Sequence, residues 1–126
     1  MKKIISTTDA PKAIGPYSQA IKAGNMLFAS GQIAINPSTS EMITGDIKAQ
    51  TEQVMKNLES VLKAAGMSFG NVVKTTVFLA DMKNFAEMNS VYAKYFAENP
   101  PARSTVQVAK LPKNAEIEIE LIASSE

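Results

Sequence analysis

Residues 115–123 read AEIEIELIA, and the alternation of acidic and aliphatic side chains from Glu116 to Leu121 decides the fold. Successive side chains of a β-strand point to opposite faces, so Ile117, Ile119 and Leu121 share one face and Glu116, Glu118 and Glu120 the other. Such a strand belongs to a sheet covered on one side. Two amphipathic helices supply the cover. From Asp46, a candidate N-cap, Ile47, Thr51, Val54, Met55, Leu58, Val61, Leu62 and Ala65 recur at helical spacing until Gly66. After Asp81, a second helix carries Phe85, Met88, Val91, Tyr92, Tyr95 and Phe96 on one stripe and ends before Pro100-Pro101.

Shorter signals give the other strands. KKIIST (2–7) reads as a strand, and GPYSQAIKAGNMLFASGQIAI (15–35) as two strands around the Gly24-Asn25 turn. VVKTTVFLA (72–80) is rich in β-branched residues and reads as a buried strand, and STVQVA (104–109) precedes the closing strand. NPSTSEMITGD (36–46) is a loop by composition. No linker or repeat divides residues 1–126, so one α+β domain is expected. Its order is β-β-β-α-β-α-β-β, a single mixed sheet with two helices packed on one face. Gln19, Ser30, Gln32, Thr76 and Phe78 give the uncovered face a mixed polar and apolar character, which suits contact with another subunit.

Composition removes several kinds of chemistry. With no cysteine and no histidine, the chain cannot make a disulfide, a Cys/His zinc site, a thiolate nucleophile or a Ser-His-Asp triad. No metal or cofactor is expected. Thirteen basic residues nearly balance twelve acidic ones, which argues against nucleic acid as a partner. The N-terminal stretch opens with two lysines but has no apolar run of signal-peptide length, and no stretch approaches the roughly 20 apolar residues that span a bilayer. A cytoplasmic protein without a membrane partner is expected.

PPARSTVQVAKLP (100–112) contains Arg103, the single arginine among thirteen basic residues. A guanidinium is a planar fork that grips a carboxylate or phosphate through two parallel hydrogen bonds, whereas an ammonium is a flexible point charge. A bound anion is one reading of Arg103, and an ordinary structural ion pair is the other.

Four segments, AIGPYSQAI (13–21), NMLFASGQIAINP (25–37), VVKTTVFLADMKNF (72–85) and FAENPPARSTVQVAKLPKNAEIEIELIA (96–123), together resemble the Rid family of reactive-intermediate deaminases, also called the YjgF/YER057c/UK family. The likeness runs from Ile14 to Ala123 and is strongest to the RidA subgroup. It implies a chorismate-mutase-like α+β fold and a homotrimer with active sites between subunits. It also implies hydrolysis of 2-imino acids and their enamine tautomers, of the 2-aminoacrylate and 2-aminocrotonate type, to 2-keto acids and ammonia. Pyridoxal-phosphate enzymes would supply these substrates. The family's carboxylate-binding arginine falls on Arg103, its acidic residue on Glu118, its tyrosine on Tyr17 and its serine on Ser30.

On this resemblance Arg103 is the carboxylate clamp, and Glu118 takes the proton of the attacking water. Tyr17 packs along the substrate, and Ser30 offers its hydroxyl or backbone. Thr105 stands where many relatives carry cysteine, and its main chain is expected to touch substrate. Asn89 and Phe85 also resemble family positions. Plainer roles stand beside these: a half-buried strand tyrosine for Tyr17, a small residue at a bend for Ser30, core for Phe85, and solvated charge for Lys110 and Lys113. Two other functions compete, a 2-keto acid-binding module without turnover and the RNA cleavage claimed for some relatives.

Overall fold

The computed structural model describes residues 1–126. Its main elements are β1 (Lys2–Ile5), β2 (Ala20–Ala23), β3 (Met26–Gln32), β4 (Ile35–Asn36), β5 (Glu41–Met42), α1 (Ile47–Ala64), β6 (Val72–Leu79), α2 (Phe85–Tyr95), β7 (Ala102–Gln107) and β8 (Ile117–Ser124). Six strands form one mixed sheet in the order β1-β2-β3-β8-β6-β7. Only β6 and β7 are parallel, and α2 is the crossover that a parallel pair requires. The mixed sheet, its two helices and the order of these eight elements are those the sequence predicts, and the small β4–β5 pair is additional.

Alternation on β8 builds the core. Ile117 and Ile119 are 0% exposed and Leu121 is 2% exposed. They share one hydrophobic cluster with Val54, Met55, Leu58, Val61 and Leu62 of α1 and with Met88 and Tyr92 of α2. Burying each large aliphatic side chain contributes about 1.5–3 kcal/mol, so packing outweighs the helices' own propensity. Truncating Leu58 to alanine costs roughly 2–5 kcal/mol by the same reasoning. Asp46 caps α1 as predicted, its Oδ1 accepting from Ala49 N at 3.0 Å. Gly66 closes the helix at φ 74°, a conformation that other residues adopt only with strain. No helix is long and apolar enough to cross a membrane.

Boundaries differ in four places. The segment 36–46, read as loop, contains part of the β4–β5 hairpin. Two-residue strands carry no periodic signal, and this hairpin is held from outside. Ile43 N donates to Ala34 O at 2.9 Å, while Asn57 Nδ2 of α1 donates to Ile33 O at 3.2 Å and Ile35 O at 2.9 Å. Residues 15–19, read as strand, form a turn and an extended lead-in instead, with Tyr17 N bonded to Gly15 O at 2.9 Å. Asp81 caps a 3-10 turn over Met82–Asn84, its side chain accepting from Lys83 N, and α2 starts only at Phe85. β7 runs from Ala102 to Gln107, two residues ahead of the expected strand.

Candidate active site

Because its neighbours on β8 face the helices, Glu118 points from the sheet's uncovered side. A bulge in the adjacent strand makes room for it. β3 pairs Ala29 with Leu121 and Gln32 with Ile119, so Ser30 and Gly31 together oppose the single residue Glu120. The Glu118 carboxyl group packs directly over Gly31. A Cβ there would lie 2.0 Å from Glu118 Oε2, so any side chain at 31 would push the carboxyl from this position. Glycine at 31 therefore holds open the space the carboxylate occupies. An isolated glycine within a strand pattern is the sequence signal of such an approach.

Tyr17, Ser30 and Glu118 line one cleft of about 640 Å³, which Glu120, Lys12 and Lys113 also line. The structure thus brings together three of the expected site residues from separate segments. Tyr17 is 54% exposed, and its hydroxyl accepts only a long bond from Ile14 N at 3.4 Å. Its ring is open to a ligand, in contrast to a half-buried strand tyrosine. Ser30 is more constrained. Its N–H donates to Gln19 O at 2.9 Å and its hydroxyl to Ser18 O at 2.6 Å, which leaves the hydroxyl oxygen only as an acceptor for a ligand.

Gln19, expected on the uncovered face, is instead 4% exposed and serves as a strap. Its Oε1 accepts from Thr7 N at 2.7 Å, and its Nε2 donates to Thr7 O at 3.1 Å and Pro11 O at 2.8 Å. These bonds fix the segment that forms one wall of the cleft. Composition alone gave no sign of this role. Asn57 braces the opposite wall at Ile33 and Ile35. Burial first, and then the negative charge of Glu120, push the Glu118 carboxyl above the usual carboxylate range. The ion pairs of the chain are Lys83–Asp81 and Lys94–Glu52, so no lysine neutralises Glu118. A half-buried carboxyl with its pKa raised is a stronger base when ionised than an ordinary carboxylate.

Arg103 occupies a different place. In the register of the parallel pair it lies opposite Thr75, which is buried and hydrogen-bonded to the Tyr92 hydroxyl of α2 at 2.6 Å. Arg103 is therefore on the helix side of the sheet. Its guanidinium carbon sits 4.8 Å from the centre of the Tyr92 ring and 5.5 Å from that of Phe85, within the range of cation–π attraction. Nη1 donates to Asn89 Oδ1 at 2.7 Å. No carboxylate pairs with it, so the structural ion pair is not the explanation for this arginine. Of five guanidinium N–H donors, one is committed to Asn89. Phe85 serves both readings, packing against the core and lying beside Arg103.

Thr105 shares the helix-facing side of β7 with Arg103, opposite Val77, and its hydroxyl oxygen is buried without a hydrogen-bond partner. Arg103 and Thr105 are thus separated from Glu118 within one protomer. β6 lies between β7 and β8, and Arg103 and Glu118 emerge on opposite faces. One half can hold an anion, and the other can move a proton.

The family described as Endoribonuclease L-PSP matches residues 7–125. A RutC family protein of Pyrococcus horikoshii is 59% identical over 126 residues, covering 100% of both chains. The 2-iminobutanoate/2-iminopropanoate deaminase of Mus musculus is 49% identical over 123 residues, covering 98% of this chain and 91% of the relative. Among solved structures, E. coli TdcF with bound serine shares the fold at a TM-score of 0.94 and 44% identity, covering 98% of this chain and 99% of that one. With its pattern matched over nearly the whole length and its fold shared at such identities, this chain belongs to the Endoribonuclease L-PSP family, also known as the YjgF/Rid family.

Proposed function

We propose that the protein is an enamine/imine deaminase that hydrolyses 2-imino acids, of the 2-aminoacrylate and 2-aminocrotonate type, to 2-keto acids and ammonia. We further propose that it works as a homotrimer whose sites lie between subunits. One observation carries the reading. Arg103 is an unpaired guanidinium caged by Tyr92, Phe85 and Asn89, and it faces away from the one half-buried glutamate of raised pKa. A small carboxylate substrate can meet both only where two copies join Arg103 of one to the Tyr17–Ser30–Glu118 cleft of the other. A relative named as a 2-iminobutanoate/2-iminopropanoate deaminase at 49% identity and a relative with bound serine at 44% support this chemistry.

In this arrangement Arg103 grips the α-carboxylate and fixes the plane of the adjacent C=N bond. An enamine first takes a proton at its terminal carbon to become the imine. Glu118 then accepts a proton from water as the water oxygen bonds to C2, giving a tetrahedral carbinolamine. The same carboxyl gives that proton to the nitrogen, and as the C–N bond breaks the carboxylate takes the hydroxyl proton, so that ammonia leaves and C2 becomes a carbonyl; the proton gained by the enamine departs with the ammonia as ammonium. Water is the only co-reactant. Tyr17 offers its ring to the substrate, and the hydroxyl oxygen of Ser30 can accept a hydrogen bond from the nitrogen. A non-catalytic 2-keto acid sensor would use the same arginine, and Glu118→Gln separates the two functions: it removes turnover and leaves carboxylate binding. RNA cleavage fits less well, because the chain has no histidine and its cleft carries two carboxylates.

Subunit mixing tests the whole reading. Arg103→Ala and Glu118→Gln are each expected to lose most of their hydrolysis of 2-iminobutanoate. Dissociating and reassembling them together at equal amounts should restore about a quarter of wild-type activity, since random cyclic assembly pairs a native Arg103 with a native Glu118 at one interface in four. Recovery absent despite confirmed mixed trimers would refute the shared site.

A further inference from the structure

We propose that Lys12 and Lys113 form a second anion subsite at the mouth of the Glu118 cleft, one that favours 2-imino acids bearing an additional carboxylate. The inference rests on the deaminase reading and specifies its substrate class. If Arg103 takes the α-carboxylate, the two cations in the cleft lining serve no purpose for a four-carbon monoacid. Both lysines line that cleft. Neither forms an ion pair, although Glu118 and Glu120 line the same cavity. The space of about 640 Å³ accommodates a substrate longer than 2-iminobutanoate.

The backbone places each lysine. Lys12 follows Pro11, whose carbonyl is fixed by the Gln19 amide at 2.8 Å. Lys113 lies in a turn closed by Ala115 N donating to Pro112 O at 3.0 Å. Within it, Lys113 at φ 55° and Asn114 at φ 56° are both left-handed. Asparagine and glycine accept this conformation readily, whereas a long side chain adopts it at a cost. Lys113 is therefore held under strain at the rim of the cleft, the kind of outlier that accompanies a functional demand. Two exposed cations above a half-buried glutamate can receive the distal carboxylate of a four- or five-carbon dicarboxylic imine while its C2 meets Glu118. An enzyme that oxidises or eliminates from an acidic amino acid is the class of reaction that supplies such imines.

The test compares 2-iminosuccinate, generated in place by an aspartate oxidase, with 2-iminobutanoate, generated by a threonine dehydratase. The ratio of kcat/KM for the dicarboxylic to the monocarboxylic imine should fall about fivefold in Lys113→Asn and by a similar factor in Lys12→Met, the scale of a solvent-accessible ion pair. The wild-type preference should also weaken as salt rises. Calorimetry of 2-oxoglutarate against 2-oxobutanoate reads the same subsite without turnover. A ratio unchanged in the double variant, or a wild-type protein binding the two keto acids equally, overturns the proposal. If wild type hydrolyses neither imine yet binds 2-oxoglutarate more tightly through the lysines, the subsite stands and the deaminase reading falls. Lys113→Asn is also expected to raise Tm by relieving the turn, and Lys12→Met gives an independent reading should the turn variant fold poorly.

Discussion

The surroundings of Arg103 and of Glu118 differ in how much of each is finished within one protomer. Arg103 is held on three sides, by two aromatic rings and by the Asn89 carbonyl oxygen. Its direction is set before any ligand arrives, which reduces the ordering cost of binding. Glu118 instead stands in a broad cleft with its carboxyl unpaired and pushed upward by burial and by Glu120. The surroundings of Arg103 are closed within the chain and those of Glu118 are open. On the proposed function, a site divided this way would couple activity to assembly.

Removing the finished half should have the largest effect. Arg103→Ala is expected to lower kcat/KM for 2-iminobutanoate by roughly 30- to 1,000-fold, the equivalent of about 2–4 kcal/mol from a bidentate charge-assisted pair. Arg103→Lys should recover only part of this, since an ammonium lacks the fork. Full activity in either variant would place the anion elsewhere.

Next comes the unfinished half. Gly31→Ala puts a methyl group into the space of the Glu118 carboxyl, which must swing aside, and a displacement of about 1 Å at a reacting group can cost on the order of 100-fold in rate. The loss should appear in kcat, with Arg103-dependent binding of 2-oxobutanoate retained. A variant that loses binding and keeps kcat would reverse the roles assigned to the two regions.

A subtler change concerns protons. Glu118 must be ionised to accept one, so the acid limb of the rate profile should lie above the ordinary carboxylate range. Glu120→Gln removes the second of the two causes of that rise. The limb should shift to lower pH, while burial keeps it above that of a free carboxylate. An unmoved limb would mean that another group controls it.

The smallest effect belongs to Thr105, whose buried hydroxyl lacks a partner. Thr105→Val keeps the shape and removes the unsatisfied group, so a stabilisation of roughly 1 kcal/mol is expected as a higher Tm in calorimetry. A lower Tm would show that the hydroxyl is satisfied in the assembled protein.

Much of this architecture was legible in the chain. The α1 stripe, the alternation in AEIEIELIA and the β-branched run of β6 each repeat often enough to define their element, and the resemblance assigned Tyr17, Ser30 and Glu118 to one site before their convergence was visible. The β4–β5 hairpin escaped because its support comes from Asn57 and Ala34, outside the pairing itself. Gln19 escaped because an amide reads as surface until its four backbone partners are known. The opposition of Arg103 and Glu118 depends on the register of three strands, which no local pattern encodes.

The bulge in β3 has an effect beyond making space for a carboxylate. Before it, odd-numbered residues point inward, with Leu27 and Ala29 buried; beyond it, inwardness passes to even numbers, with Gln32 and Ala34 buried. The extra residue thus shifts the numbering of the strand but not its facing: with either Ser30 or Gly31 deleted, plain alternation would still turn Gln32 and Ala34 inward, and what would be lost is the local widening that lodges the Glu118 carboxyl.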